Sequence, residues 1–281
     1  MAPKAPPIIL SIAGFDPTSG AGVTADIKTI AAHGCYGVGC LTAVTVQTTS
    51  AVSQVCAEAG ERVAMTLEAL AADMPIAAVR IGMLGSGAVA GAVADFLAAR
   101  HLENIVLDPV LQSSSGSRLL DDAALHVLKV RLLPLATVIT PNIEEAATLT
   151  GWAVGNADEM KAAARALHAM GARNVVVTGG HLSPAVDILG RRTTNAGFKI
   201  YEFTAPQMPS TSTHGTGCAF ASALACNLAL GCEIELAVKL AKAYVTGAIA
   251  SAYPIGRGRG PLNHLFALLK HGPASNDPDI E

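Results

Sequence analysis

Short aliphatic runs recur along the chain, each followed by a stretch in which apolar residues return every three or four positions. Ile8–Ala13, Gly39–Val46, Ala77–Ile81, Ile105–Leu107, Val138–Ile139 and Val175–Val177 read as strands. Between them, Ala21–Ala32, Glu61–Ala72, Ala88–Ala99, Asp121–Arg131 and Asp158–Met170 read as helices. Strand–helix alternation of this kind predicts right-handed crossovers and a mostly parallel sheet. Val186–Gly190 and Phe198–Phe203, linked by Arg191–Gly197, read as a hairpin, and helices over about Gly215–Leu230 and Glu233–Tyr253 close the unit. The expected fold is therefore α/β with three layers, a central mostly parallel sheet flanked by helices, in one domain over 1–281. Its ends, 1–7 and about 274–281, are expected to be flexible.

Composition agrees with that pattern and removes some functions. Hydrophobic residues make up 51% of the 281 but aromatics only 4%, so alanine, valine and leucine must do most of the packing. That mixture suits strands buried on both faces. With 15% charged residues and a formal net charge of −3, the chain offers no basic field for a nucleic-acid backbone. Residues 34–57 lack charge but are broken by Gly37, Gly39, Gln47 and several threonines, and 218–232 falls short of the ~20 residues a membrane span requires. The first seven residues lack the basic start and apolar run of an export signal, which points to a cytoplasmic protein with reduced thiols. The six cysteines form no C-x-x-C pair, so a structural zinc site is not expected. Five of them read as small core residues, and Cys218 does not.

In an open parallel sheet, ligands sit outside the carboxyl ends of the strands, and that is where the unusual residues of this chain fall. The first strand runs into Ala13-Gly14-Phe15-Asp16-Pro17-Thr18-Ser19-Gly20-Ala21-Gly22, then Thr24-Ala25-Asp26. Three glycines with Asp16 and Asp26 suit a loop pressed against a polar ligand, or simply a turn capping the next helix. It is neither a P-loop nor a dinucleotide fingerprint. Gln47 ends the second strand and offers one acceptor and two donors, the complement of an amino group beside a ring nitrogen. Asp108 and the Asn142-Ile143-Glu144-Glu145 run follow two further strands. Two acids facing one crevice suit a hydrated magnesium ion, although each could equally cap a helix, and spacing does not choose between Glu144 and Glu145. The most specific stretch is Ser212-Thr213-His214-Gly215-Thr216-Gly217-Cys218-Ala219-Phe220, where two glycines open a long helix. Free N–H groups at such an end make an anion hole for a transferring phosphoryl group. Cys218 lies in the first turn, where a helix end is expected to bring a thiol below its ordinary pKa of about 8.5. His214 reads better as a loop-ordering residue than as a base.

Taken together these stretches resemble the hydroxymethylpyrimidine/phosphomethylpyrimidine kinases of thiamine biosynthesis, a branch of the ribokinase superfamily. The likeness runs from Ile8 to about Leu265. Besides the stretches above it is carried by Ile27-Lys28-Thr29, Ile81-Gly82-Met83-Leu84, Pro109-Val110, Thr140-Pro141 and Gly179-Gly180-His181. The resemblance implies a ribokinase-like fold, commonly homodimeric. It implies ATP as co-substrate, Mg2+ as the metal, and 4-amino-5-hydroxymethyl-2-methylpyrimidine and its monophosphate as acceptors. It implies Gln47 on the aminopyrimidine edge, with Gly14, Asp26, Met83 and Val110 around the ring and its hydroxymethyl arm. Asp108 and Glu145 would serve the magnesium, Thr178, Gly179, His214 and Lys242 the nucleotide, and Gly215, Thr216 and Gly217 the anion hole. Cys218 takes the place of the catalytic base, where most of the superfamily has an aspartate. Two positions depart from the pattern: Phe15 stands where a serine or threonine is usual, and Thr178 where many relatives carry a lysine. Arg191, Arg192 and Lys242 are the candidate replacement cations.

Two other readings compete. A pyridoxal or pyridoxine kinase of the same fold, or an enzyme acting on both substrates, is the nearer, and Gln47 argues for the aminopyrimidine. A non-catalytic ligand-binding relative is the other, and the acids together with the 215–218 turn argue against it. A dinucleotide oxidoreductase is excluded, because the first strand–helix turn lacks G-x-G-x-x-G.

Overall fold

The computed structural model describes residues 5–113, 116, 118–180, 182–193, 197–208 and 210–269. Nine strands form one sheet in the order β3-β2-β1-β4-β5-β6-β7-β8-β9. They are β1 Ile8–Phe15, β2 Tyr36–Gln47, β3 Val52–Ala57, β4 Ile76–Ile81, β5 Ile105–Leu107, β6 Val138–Ile139, β7 Asn174–Gly179, β8 Ala185–Arg192 and β9 Phe198–Ala205. The six from β2 to β7 in that order run parallel, and antiparallel pairs at β2–β3, β7–β8 and β8–β9 finish the two edges. The helices are α1 Gly22–Ala32, α2 Gly60–Asp73, α3 Gly87–Ala99, α4 Asp122–Val127, α5 Leu133–Leu135, α6 Ile143–Thr150, α7 Ala157–Ala169, α8 Thr216–Ala229, α9 Ile234–Ala250 and α10 Phe266–Leu269.

Side chains alternate across the strands and split the core in two. Leu10, Val79, Leu107, Ile139 and Val177 pack against α2, α3, α6 and α7 on one face. Ile9, Ala78, Val106, Val138 and Val176 pack against α1, α8 and α9 on the other. This is the expected three-layer arrangement. Two elements escaped the periodicity. β3 reads Val-Ser-Gln-Val-Cys-Ala, too polar to resemble a buried strand, because it is an edge strand exposed on much of its length. α6 follows Pro141 and starts with a capping box: Asn142 accepts from the Glu145 N–H, and Glu145 accepts from the Asn142 N–H. The predicted helix over 121–131 instead passes from α4 through a π-helical stretch, Leu128–Leu132, into α5.

The expected flexible tails fall largely outside the described residues, as do residues 1–4 and 270–281. Pro7 is an exception, its carbonyl accepting from the Tyr36 N–H at 2.9 Å. Of the cysteines, Cys35, Cys40 and Cys226 are buried, whereas Cys56 is exposed on β3 because that strand has no layer above it.

Among the described residues two charged side chains, Arg80 and Asp26, lie wholly inside. Arg80, fully buried on β4, shares a face with Ala78 and so points toward α1 and α8. Its Nη2 donates to Asp108 at 2.7 Å, and its Nη1 lies 3.2 Å from Asp26 on α1. Asp26 in turn accepts from Ser11 of β1 at 2.6 Å and from Ser222 of α8 at 2.8 Å. Strand β1, strand β4, helix α1 and helix α8 are thus tied at one polar point inside an apolar layer. Removing one member of such a group strands the others without compensation. Arg80→Met should therefore lower unfolding stability by about 3–5 kcal/mol in urea denaturation. A loss below about 1 kcal/mol would show that the network does not hold the layers together.

Candidate active site

The parallel strands end in a stepped row. Gly82 donates to Ile12, Asp108 to Ile81, Thr140 to Leu107 and Thr178 to Pro141, each through its backbone N–H at 2.8–2.9 Å. Above this row opens a cavity of about 370 Å³. It brings together Gly14, Gln47, Met83, Asp108, Val110, Glu145, Thr178, His214, Gly215, Thr216, Gly217, Cys218 and Lys242. Two residues assigned to the site stand behind its lining. Asp26 is fully buried beneath it, holding Arg80 rather than facing the cavity. Gly179 sends its N–H to Asp187, and its Cα faces the Val186 carbonyl and Met160.

Helix α8 begins at this cavity. Gly215 has φ 83°, and a Cβ there would run into the Gly20 carbonyl, so only glycine fits the turn. No side chain caps the α8 N-terminus, which leaves its first-turn amides turned toward an anion. Cys218 sits in that turn, half-buried, and its sulfur also accepts from the backbone N–H of Gly22 at the start of α1. Two helix ends and the Arg80 guanidinium converge on it. Even so, the expected low pKa does not follow. Burial raises the thiol to about 11, and Asp26 and Asp108 add to the rise, while Arg80 opposes it only in part. The helix-end argument omitted desolvation and the two nearby acids.

Burial also raises Asp108 to about 6 in spite of Arg80, and holds Glu145 well above the ordinary carboxylate range, with the Asp108 charge adding to it. A pair of buried acids that favour protonation is a pair that a divalent cation would relieve. Glu145, not Glu144, carries the burial, and it remains a helix-capping residue as well. Among the described residues no group of three or more His, Cys, Asp or Glu could hold a metal. The arrangement fits an ion bound by one or two carboxylates and completed by water and phosphate oxygens.

His214 lies against the first loop. Its Nε2 donates to Asp16 at 2.7 Å, and Gln47 Nε2 lies 3.2 Å from the same nitrogen. Thr45 donates to Gln47 Oε1 at 3.3 Å, which holds the carboxamide by its oxygen. The His214 nitrogen, donating its proton to Asp16, touches the Gln47 NH2 without accepting from it. Burial would raise Asp16, but its bonds with His214 and Thr18 more than offset that and hold it below its usual range. On the far side, Lys242 reaches from α9 to Asp187 at 2.8 Å, and Asp187 pairs across the sheet with Thr178. The missing lysine at Thr178 thus has a neighbouring ammonium in Lys242. Arg191 pairs with Glu233 and Glu235 instead, and neither it nor Arg192 lines the cavity. Sequence reading missed Arg80 and Arg259, both cavity-lining cations. Nothing distinguished Arg80 from the strand around it, whereas Arg259 lay in a glycine-rich segment that could have been searched. Within 112–120, Ser114, Ser115 and Ser117 lie outside the described residues, as does His181 of the Gly179-Gly180-His181 motif. Gln112 and Ser113 line the cavity.

Residues 16–263 match the family model of phosphomethylpyrimidine kinase. The chain belongs to the phosphomethylpyrimidine kinase family. A hydroxymethylpyrimidine/phosphomethylpyrimidine kinase of Streptomyces coelicolor is 42% identical over 95% of this chain and 97% of its own. A thiamine biosynthesis bifunctional protein of Geobacter sulfurreducens is 44% identical over 92% of this chain, which spans only 52% of that longer protein. Among solved structures, the ADP complex of Bacillus subtilis pyridoxal kinase superposes with TM-score 0.85 at 31% identity, over 94% of this chain and 100% of the other. A phosphomethylpyrimidine kinase from Clostridium difficile 630 superposes with TM-score 0.74 at 38% identity, over 86% and 99%. This phosphomethylpyrimidine kinase family member is therefore an α/β phosphotransferase of ribokinase-like fold.

Two measurements test the site. In the ligand-free protein at pH 7.5, iodoacetamide should label exposed Cys56 before Cys218, and the Cys218 rate should keep rising to about pH 11. Labelling of Cys218 first would mean that its thiolate is already formed. Asp16→Asn should loosen His214 and with it Gln47, raising KM for the acceptor about fivefold, or ~1 kcal/mol, with kcat nearly unchanged. An effect on kcat alone would detach Asp16 from acceptor binding.

Proposed function

We propose that this enzyme uses ATP to phosphorylate the hydroxymethyl group of 4-amino-5-hydroxymethyl-2-methylpyrimidine and then the resulting monophosphate, for thiamine biosynthesis. The observation that carries this reading is a single cavity holding Gln47, fixed by Thr45 at its oxygen, the Cys218 thiol and the uncapped start of α8. Gln47 presents its amide to the amino group and ring nitrogen of the pyrimidine, with Gly14, Met83 and Val110 around the ring. The α8 amides and Lys242 face the phosphoryl group in transfer, where fixed donors and positive charge stabilise the spreading negative charge. Asp108 and Glu145 would hold Mg2+, which would supply further charge neutralisation at the phosphates. The Arg80 guanidinium beside Cys218 favours its thiolate, and neutralising Asp108 would remove one of the charges that oppose it. Cys218 then accepts the hydroxymethyl proton.

ATP use draws support from the nucleotide bound in the Bacillus subtilis relative. Residues 1–281 are taken as one kinase domain, since the described strands form one continuous sheet. A homodimer is supported by the exposed apolar side chains Tyr36, Leu41, Val44 and Val46 on β2, beside the open edge of β3. Cytoplasmic residence goes with the need for ATP. No described helix is long and apolar enough to cross a membrane.

The test is product analysis by mass with ATP, magnesium and, separately, the hydroxymethylpyrimidine, its monophosphate and pyridoxal. The pyrimidine should yield the monophosphate and then the diphosphate, and kcat/KM should favour it over pyridoxal; equal or better use of pyridoxal overturns the reading. Gln47→Leu should cost about 1–3 kcal/mol in acceptor binding, because the ring's polar edge would be buried unpaired. Cys218→Ala should lower kcat of the first transfer by roughly 10²–10⁴. The second transfer, whose acceptor oxygen carries no proton to be removed, should fall far less.

A further inference from the structure

The loop that follows α9 reads Tyr253-Pro254-Ile255-Gly256-Arg257-Gly258-Arg259-Gly260-Pro261, and it is seated on one residue of the turn between β2 and β3. Arg257 and Gly258 donate their N–H groups to Thr49 Oγ1 at 3.2 and 3.1 Å, and Arg259 donates its own to the Thr49 carbonyl at 3.0 Å. A Cβ at Gly258 would strike that carbonyl, and one at Gly256, where φ is 76°, would strike the Thr49 side chain. Only glycines at these two places let the loop lie so close. On its other side, the Gly260 carbonyl accepts from the His214 N–H at 3.1 Å, and Pro261 runs beside His214. The loop is therefore clamped between the end of the Gln47 strand and the turn that opens α8.

The clamp holds two arginines at one place. Arg259 lines both the main cavity and a recess beside it, and Arg257 lines the recess. The recess adds the hydroxyl residues Thr49, Ser50, Ser210, Thr211 and Thr213, and no acid among the described residues lines it. Among the described residues, neither guanidinium forms an ion pair with a carboxylate. Donors without an acceptor, grouped in a cavity wall, suit an anion of the size of a phosphate.

The two transfers differ in what they require here. In the first, a neutral hydroxyl attacks and a base must remove its proton. In the second, an oxygen of the acceptor's phosphate attacks the γ-phosphorus. A new P–O bond forms there, the bond from that phosphorus to the bridging oxygen breaks, and its electron pair leaves with ADP. No proton need be removed, but a doubly negative group must be brought against a triphosphate. Cations on the acceptor side would meet that need, and Thr49 lies two residues beyond Gln47 on that side. Resting on the function proposed above, we infer that Arg259, with Arg257 behind it, forms the subsite for the phosphate of the monophosphate acceptor.

The experiment is calorimetric titration of the full chain with the pyrimidine monophosphate, the hydroxymethylpyrimidine and a non-hydrolysable ATP analogue. Arg259→Ala should weaken the monophosphate about tenfold or more, at least five times the effect on the alcohol, and Arg259→Lys should restore part of it. Equal weakening of alcohol and monophosphate would overturn the inference, since the loop would then matter only for shape or for the ring. So would weakening confined to the ATP analogue, which would assign the arginines to the nucleotide, and so would no change at all. Should the wild type bind the monophosphate without converting it to the diphosphate, the proposed function fails, while the same titrations still decide the subsite.

Discussion

The order of the sheet reverses between β1 and β4, and at that place an arginine is enclosed between two acids from different elements. Burying one charge in an aliphatic layer is prohibitive, and burying three is tolerable only when each meets another at hydrogen-bond distance. Arg80 can remain inside because Asp108 and Asp26 flank it, and Asp26 can remain because Ser11 and Ser222 satisfy its oxygens. The geometry of the cavity floor descends from that arrangement. It sets where β5 ends in Asp108, how α1 lies on the sheet, and how near the first turn of α8 comes to the row of strand ends.

The same arrangement explains the character of Cys218. A thiol at two helix ends beside a guanidinium would be expected to ionise readily, yet burial holds it up, and the two acids that neutralise Arg80 also offset its pull on the sulfur. Within a few ångströms, stability and reactivity draw on one positive charge. The fold claims most of it while the site is empty, and only a change in the charge at Asp108 would release it to the sulfur.

Much of this was legible in the sequence, and the exceptions have physical causes. Runs such as Ile105–Leu107 and Val175–Val177 announce buried parallel strands because nothing else in a chain is so uniformly aliphatic. The Gly215–Cys218 turn could be found because two glycines before a long apolar helix have few other uses. Arg80 could not be found, since one arginine inside Ala77–Ile81 looks like the solvent side of a half-buried strand. Asp26 was placed at the ligand from the glycine-rich run before it and from the family resemblance, and the direction of its helix turns it inward to Arg80. The Gln47–His214–Asp16 chain joins residues 167 and 198 positions apart in its two links, a separation at which local pattern carries no information.

The strand order also bears on how the chain is made. From β1, the sheet extends through β2 to β3 on one side, then through β4 to β9 in unbroken succession on the other. A chain emerging from a ribosome can therefore add each strand to an edge that already exists, with no strand inserted between two earlier ones. Helix α8 emerges only after all nine strands. Until it arrives, Asp26 lacks Ser222, and the enclosed ions remain open to water along that flank. Closing the charged centre is thus among the last acts of synthesis, and it coincides with delivery of the Cys218 sulfur: a nascent polypeptide locks its interior and completes the cavity floor in one event.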